Sequence, residues 1–131
     1  MKKIDVKIEI QKNSKIKYEY NRKTKEIEVD RILRGDFVYP CDYGFIKCTR
    51  LRWRWIRCFI IFFRNISIGV KLSARIIGAM KMIDDGETDT KLICVRADDY
   101  RLDNIQSLSD LPSEFLEKVK TFSQHTKTEN V

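Results

Sequence analysis

One histidine, His125, serves the whole chain, and the four cysteines (Cys41, Cys48, Cys58 and Cys94) form no C-x-x-C pair. That pattern excludes the usual zinc sites, whose ligands are closely spaced cysteines and histidines. No secretory leader is expected, because the start turns acidic and polar at Asp5 before any apolar run forms. Disulfides are therefore not expected, and the thiols read as small hydrophobes packed inside. Long hydrophobic runs are missing too. The most apolar stretch, Ile56 to Phe63, is broken by Arg57 and followed by Arg64, far short of the roughly 20 residues a bilayer requires. The expectation is a cytoplasmic protein with no membrane partner. Repeats and low-complexity linkers are also absent, so residues 1–131 are read as one domain with a modest core.

Acidic residues are missing from one window. Between Tyr43 and Ile83 there are nine Lys or Arg and no Asp or Glu, leaving 17 basic against 19 acidic residues elsewhere. The formal net charge of +7 is thus the property of one segment. It is no general signature of a nucleic-acid binder.

What is present reads mainly as strands. Asp5-Val6-Lys7-Ile8-Glu9-Ile10 alternates with period two. Gln11 to Ser14 is a polar turn, Ile16 to Tyr20 is extended, and Asn21 to Lys25 connects it to Glu26-Ile27-Glu28-Val29, as in an antiparallel meander. Tyr39 to Phe45 reads as a tight aromatic turn, with φ fixed by Pro40 and Gly44 supplying backbone freedom. Val70 to Met82 is expected to form a strand pair, and Lys91 to Arg96 a short buried strand. Ser109-Asp110-Leu111-Pro112 signals a helix start, and Phe115, Leu116, Val119 and Phe122 recur at helical spacing.

Three polar islands carry candidate chemistry. The first is Glu9, Lys17, Glu19 and Arg31. Lys17 and Glu19, two apart, share a strand face and form either a solvated ion pair or a cation gripping phosphate beside a carboxylate. The second is Tyr39 with Tyr43, structural or functional. The third is Asp84-Asp85-Gly86-Glu87-Thr88-Asp89-Thr90-Lys91, with four carboxylates in six residues: a solvated acidic turn or a hard-cation site. Carboxylates with Lys, Arg and Tyr are what phosphoryl transfer uses.

In this order and near this spacing, the runs Ile8-Glu9-Ile10, Lys17-Tyr18-Glu19-Tyr20, Val29-Asp30-Arg31, Tyr39-Pro40-Cys41-Asp42-Tyr43-Gly44-Phe45-Ile46, Ile77 to Asp84, Asp89-Thr90-Lys91, Asp110-Leu111-Pro112 and Phe122-Ser123-Gln124-His125 resemble the family I soluble inorganic pyrophosphatases of bacteria. The resemblance runs from about residue 5 to 127. It implies an α+β, mainly β fold: a small five-stranded, partly open OB-like barrel with an outer helix. It implies Mg²⁺-dependent hydrolysis of pyrophosphate to two phosphates, and a homo-oligomer, typically a hexamer. It also implies roles. Lys17, Arg31, Tyr43, Lys91 and Lys127 would bind substrate, Asp84 and Asp89 would bind metal, and Glu9, Glu19 and Tyr39 would be catalytic.

The resemblance breaks at residues 47–69. Where the family carries D-G-D-P-x-x-D, this chain reads Trp53-Arg54-Trp55-Ile56-Arg57-Cys58, and cations and indoles cannot ligate Mg²⁺. Leu51 to Trp55 can be encoded CTT AGA TGG CGA TGG. Read one nucleotide later this gives Leu-Asp-Gly-Asp, so a shifted reading frame is the expectation for the segment. The tail has Thr126 where the family has Tyr, and the family's last strand and terminal helix have no counterpart. Two rival readings remain: an inactive scaffold of this fold, and a nucleic-acid binder using the Arg-Trp interleaving of Arg50 to Arg57. Impaired activity is expected. Arg54 and Arg57 are expected to crowd unpaired against Lys17, Arg31 and Lys91, and Ile60 to Phe63 to form an exposed sticky run.

Overall fold

The computed structural model describes residues 3–47, 55–61, 66–84 and 86–128. Seven strands, β1 (Lys3–Ile10), β2 (Ile16–Asn21), β3 (Glu26–Ile32), β4 (Asp42–Lys47), β5 (Trp55–Ile61), β6 (Lys71–Asp84) and β7 (Glu87–Arg96), precede one helix, α1 (Ser113–Thr128). Five strands close into a barrel in the order β1-β4-β5-β7-β6, and β2 and β3 form a separate two-stranded ribbon. All barrel pairs are antiparallel except β5 with β7. The five-stranded OB-like barrel and outer helix agree with the sequence reading, and the barrel is closed where a partly open one was expected. Val70 to Met82 does not fold into a strand pair: from Lys71 on, the segment lies within one 14-residue strand, β6, which pairs with β7.

Period-two alternation sorts the side chains into two cores. Val6, Ile8, Cys58, Ile60, Ala74 and Cys94 fill the barrel interior. The alternate positions Tyr43, Phe59, Ile93 and Val95 form an outer layer, which Leu111, Val119 and Phe122 cover. Ile60 is wholly buried and Ile61 partly so, so the expected sticky run does not hold for these two. Phe62 and Phe63 lie outside the described residues. Burial of β5 follows from its central place between β4 and β7.

Gly44 sits inside β4, and its need is closeness rather than a turn conformation. A Cβ there would overlap the Lys7 carbonyl and the Val6 side chain. The connection from β7 to α1 is pinned by buried Arg75, whose guanidinium donates to the carbonyls of Leu102 at 3.0 Å and Ile105 at 3.1 Å. α1 begins one residue after Pro112, preceded by a 3-10 turn over Leu108–Asp110 with a Ser107–Asp110 capping box.

Candidate active site

A β-bulge builds the first part of the site. Ile8 pairs with Gly44 and Ile10 with Tyr43, so Glu9 is the extra residue of β1. Ile8 joins the interior cluster and Ile10 the outer one, because a bulge shifts the alternation by one. Glu9 is left 1% exposed. Its carboxylate accepts from the Tyr20 backbone N–H at 2.8 Å and from Arg57 Nε at 3.1 Å and Nη2 at 3.4 Å. Burial pushes the Glu9 carboxyl above its usual range, against the pull of Arg57 and the Tyr20 N–H. Arg57 is therefore not the unpaired cation expected from the sequence. Its odd position in β5, between interior-facing Ile56 and Cys58 in the alternation, turns it to the outer layer where the bulge delivers a carboxylate.

One cross-strand row organises the outer face. Phe45 is the register partner of Arg57, Arg57 of Lys91, and Lys91 of Met80. Register partners point to the same face, so Arg57 and Lys91 stand side by side. The Arg57 guanidinium lies 5.6 Å from the Phe45 ring centre, and Lys91 Nζ lies 5.6 Å from that of Tyr43. Lys91 is paired with Asp89 at 3.3 Å. Burial lowers the Lys91 pKa, with Asp89 opposing and Arg57 assisting.

Tyr43 and Tyr39 form the floor, their ring centres 5.4 Å apart, and Tyr39 packs on Phe122 at 4.5 Å. Burial raises both phenol pKa values far above the ordinary range, keeping the hydroxyls protonated. The ribbon supplies the opposite side. Lys17 is the register partner of Arg31 and pairs with Asp30 at 3.3 Å. Arg31 and Asp30 are close enough to Tyr39 to bias its ionisation, and Glu19 does the same to Glu9. Glu9, Glu19, Arg31, Tyr39, Tyr43, Asp89 and Lys91 thus share one neighbourhood, with Lys17 at its edge.

Asp84 ends β6, two residues beyond Met82, the register partner of Asp89. Lys127 lies in the last turn of α1. The side chains of both fall outside the described residues, as do Trp53, Arg54 and Asp85. Asp30 and Arg57 belong to the site but were not singled out as site residues in the sequence. Asp30 is the extra residue of a bulge in β3, and no local pattern announces a bulge. Among the described residues no three His, Cys, Asp or Glu side chains converge as a preformed metal cage.

Residues 6–130 match the family described as inorganic pyrophosphatase. An inorganic pyrophosphatase of Ureaplasma parvum is 48% identical over 127 residues, covering 95% of this chain and 70% of the relative. The crystal structure of the Thermus thermophilus inorganic pyrophosphatase superposes with a TM-score of 0.87 at 30% identity, covering 96% of this chain and 73% of that one. The Neisseria gonorrhoeae inorganic pyrophosphatase gives 0.85 at 35% identity, with 98% and 75% coverage.

Proposed function

The chain belongs to the inorganic pyrophosphatase family, and on that premise we propose that its outer-face site hydrolyses pyrophosphate to two phosphates. The observation that carries the reading is the side-by-side placement of Lys91 and Arg57 over a floor of protonated tyrosines. Fixed cations and hydroxyl donors in a partly buried cleft are suited to a compact polyanion.

The roles proposed are those the family resemblance implies. Lys91, Lys17, Arg31 and the Tyr43 hydroxyl would hold phosphoryl oxygens, with Lys127 assisting from α1. The Tyr39 hydroxyl donates and orients. Glu9 and Glu19 are the carboxylates of the cleft, and Arg57 fixes Glu9. In the reaction the water oxygen bonds to one phosphorus as the bridging P–O bond breaks, and the bridging oxygen leaves with the other phosphate. The family resemblance implies a divalent cation, which we assign as Mg²⁺. Asp89 fits it in chemistry: a hard oxygen donor, about one-third exposed, with one oxygen on Lys91. Asp84, near it in register, would be the second ligand. When bound, the ion neutralises pyrophosphate charge and lowers the pKa of a water.

The segment 47–69 has no carboxylate to complete that set, so the rate is reduced. The proposal extends to a homo-oligomer, supported by the exposed Val29 and Ile32 of the ribbon, and to a cytoplasmic location. Among the described residues no helix is long and apolar enough to cross a membrane.

Phosphate release from pyrophosphate, measured with Mg²⁺ and again with a chelator, tests this reading. Release should require the metal and fall about 10²-fold in Lys91→Gln. Release unchanged in Lys91→Gln overturns it.

A further inference from the structure

The row that carries Arg57 and Lys91 continues past Phe45 on its other side. Lys7 is the register partner of Phe45 on β4 and of Lys71 on β6. Lys71, Lys7, Phe45, Arg57 and Lys91 therefore form one file across the outer face of the barrel. Tyr20 divides the file: its ring packs on Phe45 with centres 4.8 Å apart, and Lys7 Nζ lies 5.5 Å from its centre.

The two halves differ in one respect. On the site side each cation has a carboxylate, Glu9 for Arg57 and Asp89 for Lys91. On the far side none of the ion pairs among the described residues involves Lys7 or Lys71. Lys7 and Lys71 instead line an open cavity of about 560 Å³, together with Arg22 and Lys25 from the ribbon's turn. Among the described residues that line it, Asp5 is the one acidic residue. The size suits a small molecule.

The backbone that carries these cations is held in place. The Asn21 side-chain carbonyl accepts from the backbone N–H groups of Lys23 at 2.9 Å and Thr24 at 3.2 Å, and the Lys25 N–H donates to the Asn21 carbonyl at 2.7 Å. This fixes the turn that presents Arg22 and Lys25. Opposite, the Ile8 N–H donates to the Val70 carbonyl at 2.9 Å and the Gly69 N–H to the Ile8 carbonyl at 2.7 Å, securing the chain that leads into Lys71. Ile4, Ile46 and Tyr20, each half-buried, supply an apolar wall.

We propose that this cavity is a second anion site, distinct from the pyrophosphate cleft, that binds a small organic phosphomonoester. The phosphate lies among Lys7, Lys71, Arg22 and Lys25, and the organic group lies on Ile4, Ile46 and Tyr20. The like charges of Lys7 and Lys71 on two barrel strands and Lys25 on the ribbon's turn, with Asp5 the one carboxylate among the described lining residues, are stabilised by a bound dianion. The apolar wall distinguishes an organic phosphate from inorganic phosphate.

Calorimetric titration of the full chain with phenyl phosphate tests the proposal, with inorganic phosphate as the comparison. Phenyl phosphate should bind more tightly than inorganic phosphate, and about tenfold more weakly to Lys7→Gln/Lys71→Gln. Arg22→Gln/Lys25→Gln, changed on the exposed turn, should weaken binding as well. Lys91→Gln should leave it unaltered, and pyrophosphate hydrolysis should be unaltered in both double variants. Absence of saturable phenyl phosphate binding overturns the proposal. So does binding that survives both double variants, or binding lost in Lys91→Gln, which would place the ligand in the cleft.

Discussion

Arg57 and Glu9 meet at two points, Nε with Oε1 at 3.1 Å and Nη2 with Oε2 at 3.4 Å. The carboxylate is almost fully buried and the guanidinium side chain is about one-fifth exposed. Removing one partner of such a pair strands the other charge, which costs about 3–5 kcal/mol in full burial and somewhat less with solvent at the arginine. Arg57→Gln should therefore lower stability by about 2–4 kcal/mol. Glu9→Gln/Arg57→Gln should lose much less than the two single changes added together. Urea unfolding of the four proteins measures this coupling, and additive losses would show that the pair contributes nothing.

The same carboxylate sets a pH dependence. The folded-state pKa of Glu9 lies above the ordinary 4.5, chiefly from burial. The folded chain therefore holds this proton where the unfolded chain has released it. The contribution of Glu9 to stability is fully present below about 4.5 and is lost as pH rises through the folded-state pKa. Glu9→Gln should flatten that part of the stability–pH curve. An identical slope in both proteins would place the titration elsewhere.

Gly44 gives a prediction independent of charge. A methyl group there meets the Lys7 carbonyl and the Val6 side chain, backbone and core of the paired strand β1. Gly44→Ala should cost about 1–3 kcal/mol from overpacking. Gly86, with φ of +80° and open space around its Cβ position, should tolerate the added volume, though not the backbone conformation, at about 1 kcal/mol. Thermal melts of the two variants compare a steric penalty with a conformational one.

The first strands and the helix were legible because their code is local, while the barrel was implied by the family resemblance. Alternation in Asp5 to Ile10 marks β1, and the spacing of Phe115, Leu116, Val119 and Phe122 marks α1, with Val119 and Phe122 buried as expected. The site was legible in part, through the order of polar residues along the chain. What stayed hidden was geometry made by insertion. The bulge at Glu9 turns it to the outer face, and the bulge at Asp30 brings that residue to Lys17. Neither leaves a trace in a period-two pattern. Arg57 read as a misplaced cation because its partner is 48 residues away.

Segment 47–69 carries no Asp or Glu where the family has its D-G-D-P-x-x-D motif. Phosphoryl transfer depends on positioning and on charge stabilisation, so a site offering Asp84 and Asp89 but not the carboxylates of that motif would hold a divalent cation weakly. Trp53→Asp, Arg54→Gly and Trp55→Asp together place the Asp-Gly-Asp sequence before Ile56, running into the first residue of β5, the strand that carries Arg57. Magnesium-dependent phosphate release should rise by about 10² or more, the scale on which single electrostatic groups act in such sites. The gain should vanish when Asp89→Ala is added, because the new carboxylates act with Asp89 on one ion. A rise that survives Asp89→Ala would show that the metal binds elsewhere. No rise in a folded triple variant would show that this motif does not limit the rate.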